Sequence, residues 1–489
     1  MITPNRFVSL VSPSNARLWL PVCIVLKFLL LFFLINQDRP TTIPESIAVC
    51  SGDCDSYLSP IDGMVETGVY SSAFRMPGYG SLYFPFRLLF SKEIAVSLLI
   101  IFQTLIDAIA VYVLCILLFR ITGKQTAFYA TFLFYGIGVT VSCYNNWVMT
   151  ESVTASAFIF GFYFLWKYFQ KESPFYLLAA GLMFTWLYFL RPVNFPILII
   201  VAYFLFFRSS SKYRMRTALA FLLPAIVLHS GWVIYNYQYG KKLYFLTETR
   251  YFNSNDRYVM ANWEFCKTFG DFKAFTGYFD ANGLTYFGQA QEYDQDDIHI
   301  PAEVYTRDFT EDSLLLVRSL FKEIRSTTNE RNTDSLSQAI SVRLEHYAES
   351  VRKNHPFLFY FKTPVNLTLR FVVQSGVHNL FYKPFTFLTP VQKTIKLFFI
   401  GIFATVSLLF FSGFVIFFRQ IVRNDLLLLA YELAFYGIVI HAIVLRNVEL
   451  RYLVPFYPLY VIGAAFVGVR LIEFLRGRRS EKGKRITNS

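Results

Sequence analysis

Stretches of close to twenty residues with almost no charge recur along this chain, and no other feature constrains its fold as much. About twenty helical residues, at roughly 1.5 Å per residue, cover a hydrocarbon core about 30 Å thick. Such runs occupy residues 17–36, 95–119, 126–143, 152–169, 176–190, 192–207, 217–238, 394–418, 425–446 and 452–474. In lipid the backbone must satisfy its own hydrogen bonds, so each run is expected to be a helix. The expected fold is an all-α polytopic membrane protein, a bundle of about ten transmembrane helices. Charged residues make up 16% of the 489, against roughly 25% in soluble domains. The first run is long enough to span and no small-residue cleavage pattern follows it, so a retained helix is expected rather than a signal peptide.

A formal charge of +13 in such a chain points to orientation rather than to nucleic acid, because Lys and Arg collect in cytoplasmic loops. With the N-terminus inside, the inside segments carry Arg6 and Arg17; Arg120 and Lys124; Lys167 and Lys171; Arg208, Lys212, Arg214 and Arg216; Arg419 and Arg423. The tail after Arg476 is basic as well. This alternation puts residues 37–94 outside. It divides the chain into an N-terminal membrane core (1–239), an outer segment (240–392), C-terminal helices (393–475) and a cytoplasmic tail (476–489). Within the outer segment, 312–328 and 334–354 show apolar residues at helical spacing, which predicts amphipathic helices. Residues 356–388 are apolar but broken by Pro, Lys and Arg, which favours helices lying along the interface; one more crossing pair is the alternative.

Chemistry concentrates at the outer ends of the runs. CSGDCDSYLSPIDGM (50–64) carries Asp53, Asp55, Asp62 and Tyr57, and GVYSSAFRMPGYG (68–80) follows with Arg75 and Tyr79. A carboxylate placed there can act as general base on an acceptor hydroxyl or amine, or hold a metal. An ordinary solvated loop is the plain alternative. Glu151 opens the fourth run after Thr150, where acid also suits a helix N-terminus in its own right. Arg191, Arg446 and Arg451 fall on the outer side, against the positive-inside trend, and Tyr452 follows the last of them. Charge at membrane depth marks a pathway or a partner, and arginine's planar fork suits a phosphate. Glu449 is an alternative partner for Arg446 or Arg451. Six cysteines are scattered without metal spacing; Cys50 and Cys54 can pair if their loop is outside.

Taken in order, these pieces resemble the GT-C superfamily of membrane glycosyltransferases. The likeness is to the branch of protein O-mannosyltransferases and of the bacterial aminoarabinose transferase of lipid A. It rests on Asp53, Tyr57, Gly68, Tyr70, Arg75, Pro77, Gly78 and Tyr79 in the first outer loop, and on Thr150–Ser152 opening the fourth helix. Leu190–Pro192 and Glu449–Ala465 complete it. The match covers the membrane core and not the outer segment. The resemblance implies an inverting transfer of sugar from a polyprenyl-phosphate carrier to a lipid, glycan or protein. It also implies a first-loop aspartate as base, with Asp53 as first choice and Asp55 second. It implies a multi-pass protein of a bacterial cytoplasmic membrane with its site facing outward. Some members need a divalent metal and others do not, so a metal stays open. The rival readings are a polysaccharide polymerase or ligase, and a lipid or sugar transporter. A transporter predicts related halves or broken helices at matching positions, which the sequence lacks.

Overall fold

The computed structural model describes residues 18–37, 43–50, 53–70, 75–208, 214–241, 243–247, 257–270, 305–327 and 329–487. Arg6, Arg17 and Lys212 lie outside the described residues. The fold is all-α, and among the described residues the one β-feature is an isolated parallel bridge between Val49 and Trp147. Among the described residues, six helices are long and apolar enough to cross a membrane: Lys92–Thr122, Gln125–Tyr144, Arg214–Tyr239, Pro390–Ile416, Asp425–Val444 and Val454–Leu475. Shorter apolar helices cover Trp19–Ile35, Pro174–Leu190 and Pro192–Arg208, and a further helix covers Glu151–Lys171.

The chain forms two compact units. The first comprises Met1–Thr247, Val373–Gly437 and Leu450–Ser489. It contains α1 (Trp19–Ile35), α2 (Cys54–Thr67), α3 (Gly80–Leu89), α4 (Lys92–Thr122) and α5 (Gln125–Tyr144). Then come α6 (Glu151–Lys171), α7 (Pro174–Leu190), α8 (Phe195–Arg208) and α9 (Arg214–Gly240). The late helices are α10 (Pro390–Ile416), α11 (Asp425–Ile438) and α12 (Tyr457–Thr487). Without a hydrophobic drive between helices in lipid, close packing depends on small residues. Gly181 of α7 supplies this against α9, where any Cβ would collide with the Phe221 carbonyl.

An ion pair lies in the interior. Lys27 of α1 and Asp107 of α4 are almost fully buried and 3.4 Å apart. Asp107 also accepts from Ser142 Oγ at 3.0 Å, Asn145 Nδ2 at 2.9 Å and Tyr135 Oη at 3.3 Å, while Lys27 donates to the Tyr135 carbonyl and to Ser142 Oγ. Such charges are retained in a low-dielectric interior only when paired and fully hydrogen-bonded.

Two ends of this unit are distinguishable by their contacts. At one, Lys124 meets Glu473 at 2.9 Å and Arg208 donates to the Val422 carbonyl at 2.8 Å, joining basic short connections. At the other lie the acidic first loop, the 145–151 turn, Arg191 and Arg451.

Within 37–94, expected as a long loop, the described residues include two helices, α2 and α3, ahead of the start of α4. In α2 the buried positions Cys54, Tyr57, Leu58 and Ile61 share one face, a helical period that the prolines of the stretch disguise. Asp62 holds this layer together: it accepts from Tyr83 Oη at 3.0 Å and meets Arg87 at 2.9 Å and Lys92 at 3.1 Å.

The second unit comprises Glu248–Val372 and Ile438–Glu449. The amphipathic helices expected there occur as Glu311–Ser326 and Glu330–Asn354. With the helix Arg257–Cys266 they enclose an apolar core of Phe265, Phe309, Leu314, Ile340, Leu344 and Tyr347. Residues 356–373 are helical, interrupted by a π-turn at Leu358–Lys362, and are not among the helices apolar enough to cross. Residues 377–388 belong to the first unit, where Tyr382 Oη accepts from Asn146 Nδ2 at 2.9 Å.

Candidate functional site

Asp53 immediately precedes α2, and its backbone sits beside a disulfide that joins Cys50 to Cys54 across a Cα separation of 5.3 Å. Its two carboxylate oxygens face two different arginines. Arg75 Nη2 donates to Oδ1 at 2.9 Å and Arg451 Nη2 donates to Oδ2 at 2.7 Å. Burial by itself would raise the Asp53 carboxyl, but the charges of Arg451 and Arg75 outweigh it and hold the group below the ordinary carboxylate range. The side chain keeps 27% of its surface exposed, so the ion pair sits at an opening.

Arg75 is aligned from below and from the side. Its guanidinium lies 4.3 Å from the centre of the Tyr57 ring, and its Nε donates to Ser56 Oγ at 2.9 Å. Tyr57 in turn packs on Tyr79, with ring centres 5.1 Å apart. The RMPGYG turn that carries Arg75 and Tyr79 presses on the end of α7. Any Cβ at Gly78 would strike the Phe189 backbone, and the Gly78 carbonyl accepts from Trp186 Nε1 at 3.0 Å. This close approach sets the turn beside Arg191, which follows α7 directly.

Glu151 forms the opposite wall. It is 2% exposed, and its Oε1 lies 3.3 Å from Arg191 Nη1 and 3.7 Å from Arg451 Nε. Its Oε2 is buried without a hydrogen-bond partner among the described residues. Arg191 stacks 4.9 Å from the Tyr452 ring centre, and Arg451 lies 5.7 Å from the same ring. The Val49–Trp147 bridge draws the two walls together: Val49 N–H donates to the Asn146 carbonyl at 2.7 Å and Val148 N–H to the Val49 carbonyl at 3.0 Å.

Asp53, Tyr57, Arg75, Tyr79, Glu151, Arg191, Arg451 and Tyr452 therefore form one connected cluster of alternating charge. Two other residues read from the sequence do not join it. Asp55 is exposed on α2. Arg446 belongs to the second unit, where it donates to the carbonyls of Lys267 at 2.7 Å and Phe359 at 2.6 Å. Arg451 meets Asp53 and Glu151.

Among the described residues, Cys50, Cys54 and Asp55 offer ligand atoms within 4.8 Å of one another, but a disulfide removes both thiolates, so this group does not suit a divalent metal.

Against α2 and α3 lies an apolar cavity of about 400 Å³ lined by Ile61, Tyr70, Pro77, Phe84, Phe189 and Trp232, among others. It adjoins the cluster through Tyr70, whose hydroxyl donates to the Arg75 carbonyl at 3.0 Å. Sequence reading passed over Gln103, Asp107 and Lys27, although a polar side chain within an apolar run is itself a signal. Searches against family models, curated proteins and solved structures find no match.

Proposed function

We propose that this protein is a membrane glycosyltransferase that moves a sugar from a polyprenyl-phosphate carrier to an acceptor on the outer face of the membrane. The observation that carries this reading is the gathering of Asp53, Glu151, Arg75, Arg191 and Arg451 at one end of an apolar bundle, beside an apolar cavity. Three arginines and two carboxylates suit a substrate that brings its own negative charge. Arginine's fork recognises phosphate bidentately, and the adjoining cavity suits the carrier's prenyl chain.

In the proposed reaction an acceptor hydroxyl or amine attacks the anomeric carbon while Asp53 takes its proton. The bond from that carbon to the phosphate oxygen breaks, and the electron pair leaves with the polyprenyl phosphate. Charge grows on the phosphate as the bond stretches, so fixed guanidinium groups favour the transition state over the ground state. The arginines that clamp Asp53 in the free protein are the ones a donor phosphate would recruit. Their turn toward the phosphate removes the charges that depress Asp53, and the carboxylate becomes a better base once donor is bound. The outward orientation is supported by the basic segments at the opposite end and by the Cys50–Cys54 disulfide, which belongs to an oxidising compartment. On this reading about ten helices cross the membrane, the shorter ones and Glu151–Lys171 completing the bundle.

The test is release of polyprenyl phosphate from polyprenyl-phosphate sugars by purified protein, followed by mass spectrometry, with Arg451→Lys in parallel. Wild type is expected to consume a donor. Arg451→Lys keeps the charge but loses the fork, and is expected to slow turnover about ten- to a hundredfold, since a charge-assisted hydrogen bond is worth roughly 1.5–3 kcal/mol. Equal rates in the two proteins would remove Arg451 from phosphate recognition.

A further inference from the structure

We infer that Gln103 is a positioning residue that fixes the spacing between the two walls of the site, an inference that rests on the transferase reading for its catalytic consequence. Gln103 lies in α4 within an apolar run and is 1% exposed. Its amide uses its full donor capacity and one acceptor position, in two directions. Nε2 donates to the carbonyls of Asn145 and, at 2.9 Å, Trp147. Oε1 accepts from Tyr79 Oη at 2.9 Å.

Each direction leads to one wall. On the first side Tyr79 packs on Tyr57, Tyr57 underlies the Arg75 guanidinium, and Arg75 donates to Asp53. Burial pushes the Tyr79 hydroxyl well up, so it stays protonated and keeps donating to Gln103. On the second side Asn145 and Trp147 flank the strand-like contact with Val49 and lead into Met149 and Glu151; Arg451 Nη1 lies 3.6 Å from Met149 Sδ. Asn145 is anchored a second time by Asp107 at 2.9 Å. Asp107 stands one helical turn beyond Gln103 on α4, so one helix presents both anchors to the same turn. A primary amide is the neutral group that satisfies two carbonyls and one hydroxyl at once. Leucine or methionine fills the space with none of these bonds, and a carboxylate offers acceptors where donors are needed.

A positioning role has a kinetic signature. A displacement of about 1 Å at the reacting groups can cost about a hundredfold in rate, whereas the apolar cavity proposed for the prenyl chain is lined by residues outside 53–58 and 144–151 and keeps its share of donor binding. Gln103→Met is therefore expected to lower kcat about ten- to a hundredfold with KM within about twofold of wild type. Hydrogen–deuterium exchange on the same protein gives a readout independent of activity: faster exchange is expected in both 53–58 and 144–151, and not in the second unit. The inference is overturned if kcat stays within about twofold of wild type, or if either wall keeps its protection. Should Gln103→Met fail to fold, Tyr79→Phe removes the hydroxyl that donates to Gln103 and also meets the Met149 backbone. It is expected to loosen both 53–58 and 144–151, with kcat again falling and KM held; unchanged exchange in either wall, or unchanged kcat, would overturn the inference. If wild type consumes no donor while both walls loosen in Gln103→Met, the transferase reading fails and the structural coupling by Gln103 stands.

Discussion

The base role proposed for Asp53 has to be reconciled with a carboxylate clamped by two guanidinium groups. Its group is held below the ordinary range because Arg451 and Arg75 outweigh the cost of burial. Its contribution to stability is therefore fully present above the unfolded value of about 3.9 and is lost as pH falls through the lower folded value. The consequence for rate is sharper. The acid limb of kcat/KM reports the free enzyme, and that of kcat reports the donor complex. If donor phosphate draws the arginines away, the kcat limb is expected at higher pH than the kcat/KM limb. Coincident limbs, or the reverse order, would show that the clamp persists through the reaction.

Among the elements, α4 has the largest share in the design, since it carries both Asp107 and Gln103 toward the 145–147 turn. Removing Asp107 leaves Lys27 buried and unpaired. Asp107→Leu is expected to cost roughly 3–5 kcal/mol, with much of that loss recovered in the double variant Lys27→Met, Asp107→Leu. Thermal unfolding in detergent reads both, and an equally unstable double variant would deny that the pair is the cause. The apolar runs themselves were legible, because helical length and hydropathy are local properties of the chain. The helices α2 and α3 were not, because Pro60 and Pro85 lie inside them and proline ordinarily ends a helix. Asp62 was also ambiguous: in sequence it is one of three loop carboxylates, and only folding shows it held by Arg87 and Lys92.

For the whole molecule, the alternation of basic loops placed Asp53, Glu151, Arg191 and Arg451 on one side before any contact was known, and the fold brings these four together. Arg446 shared that side by the same rule but is spent within the second unit on two backbone carbonyls, a use that hydropathy and charge cannot foresee. Sidedness itself is open to a direct check. Glu66 and Lys124 are exposed near opposite ends, so single cysteines placed there should label oppositely in intact cells. Glu66→Cys is expected to react with an impermeant maleimide and Lys124→Cys only after lysis; labelling of Lys124→Cys from outside would invert the orientation.

Asp53 is proposed to accept the proton of the incoming nucleophile, and sugar transfer by purified Asp53→Asn beside wild type measures that role. Asparagine is nearly isosteric and keeps an acceptor oxygen for one of the two arginines, while its Nδ2 is a donor; it cannot take up a proton at neutral pH. With the variant folded, as judged by its unfolding temperature, transfer is expected to fall by at least the roughly hundredfold typical of general-base loss. Transfer at the wild-type rate by Asp53→Asn would rule out Asp53 as the base.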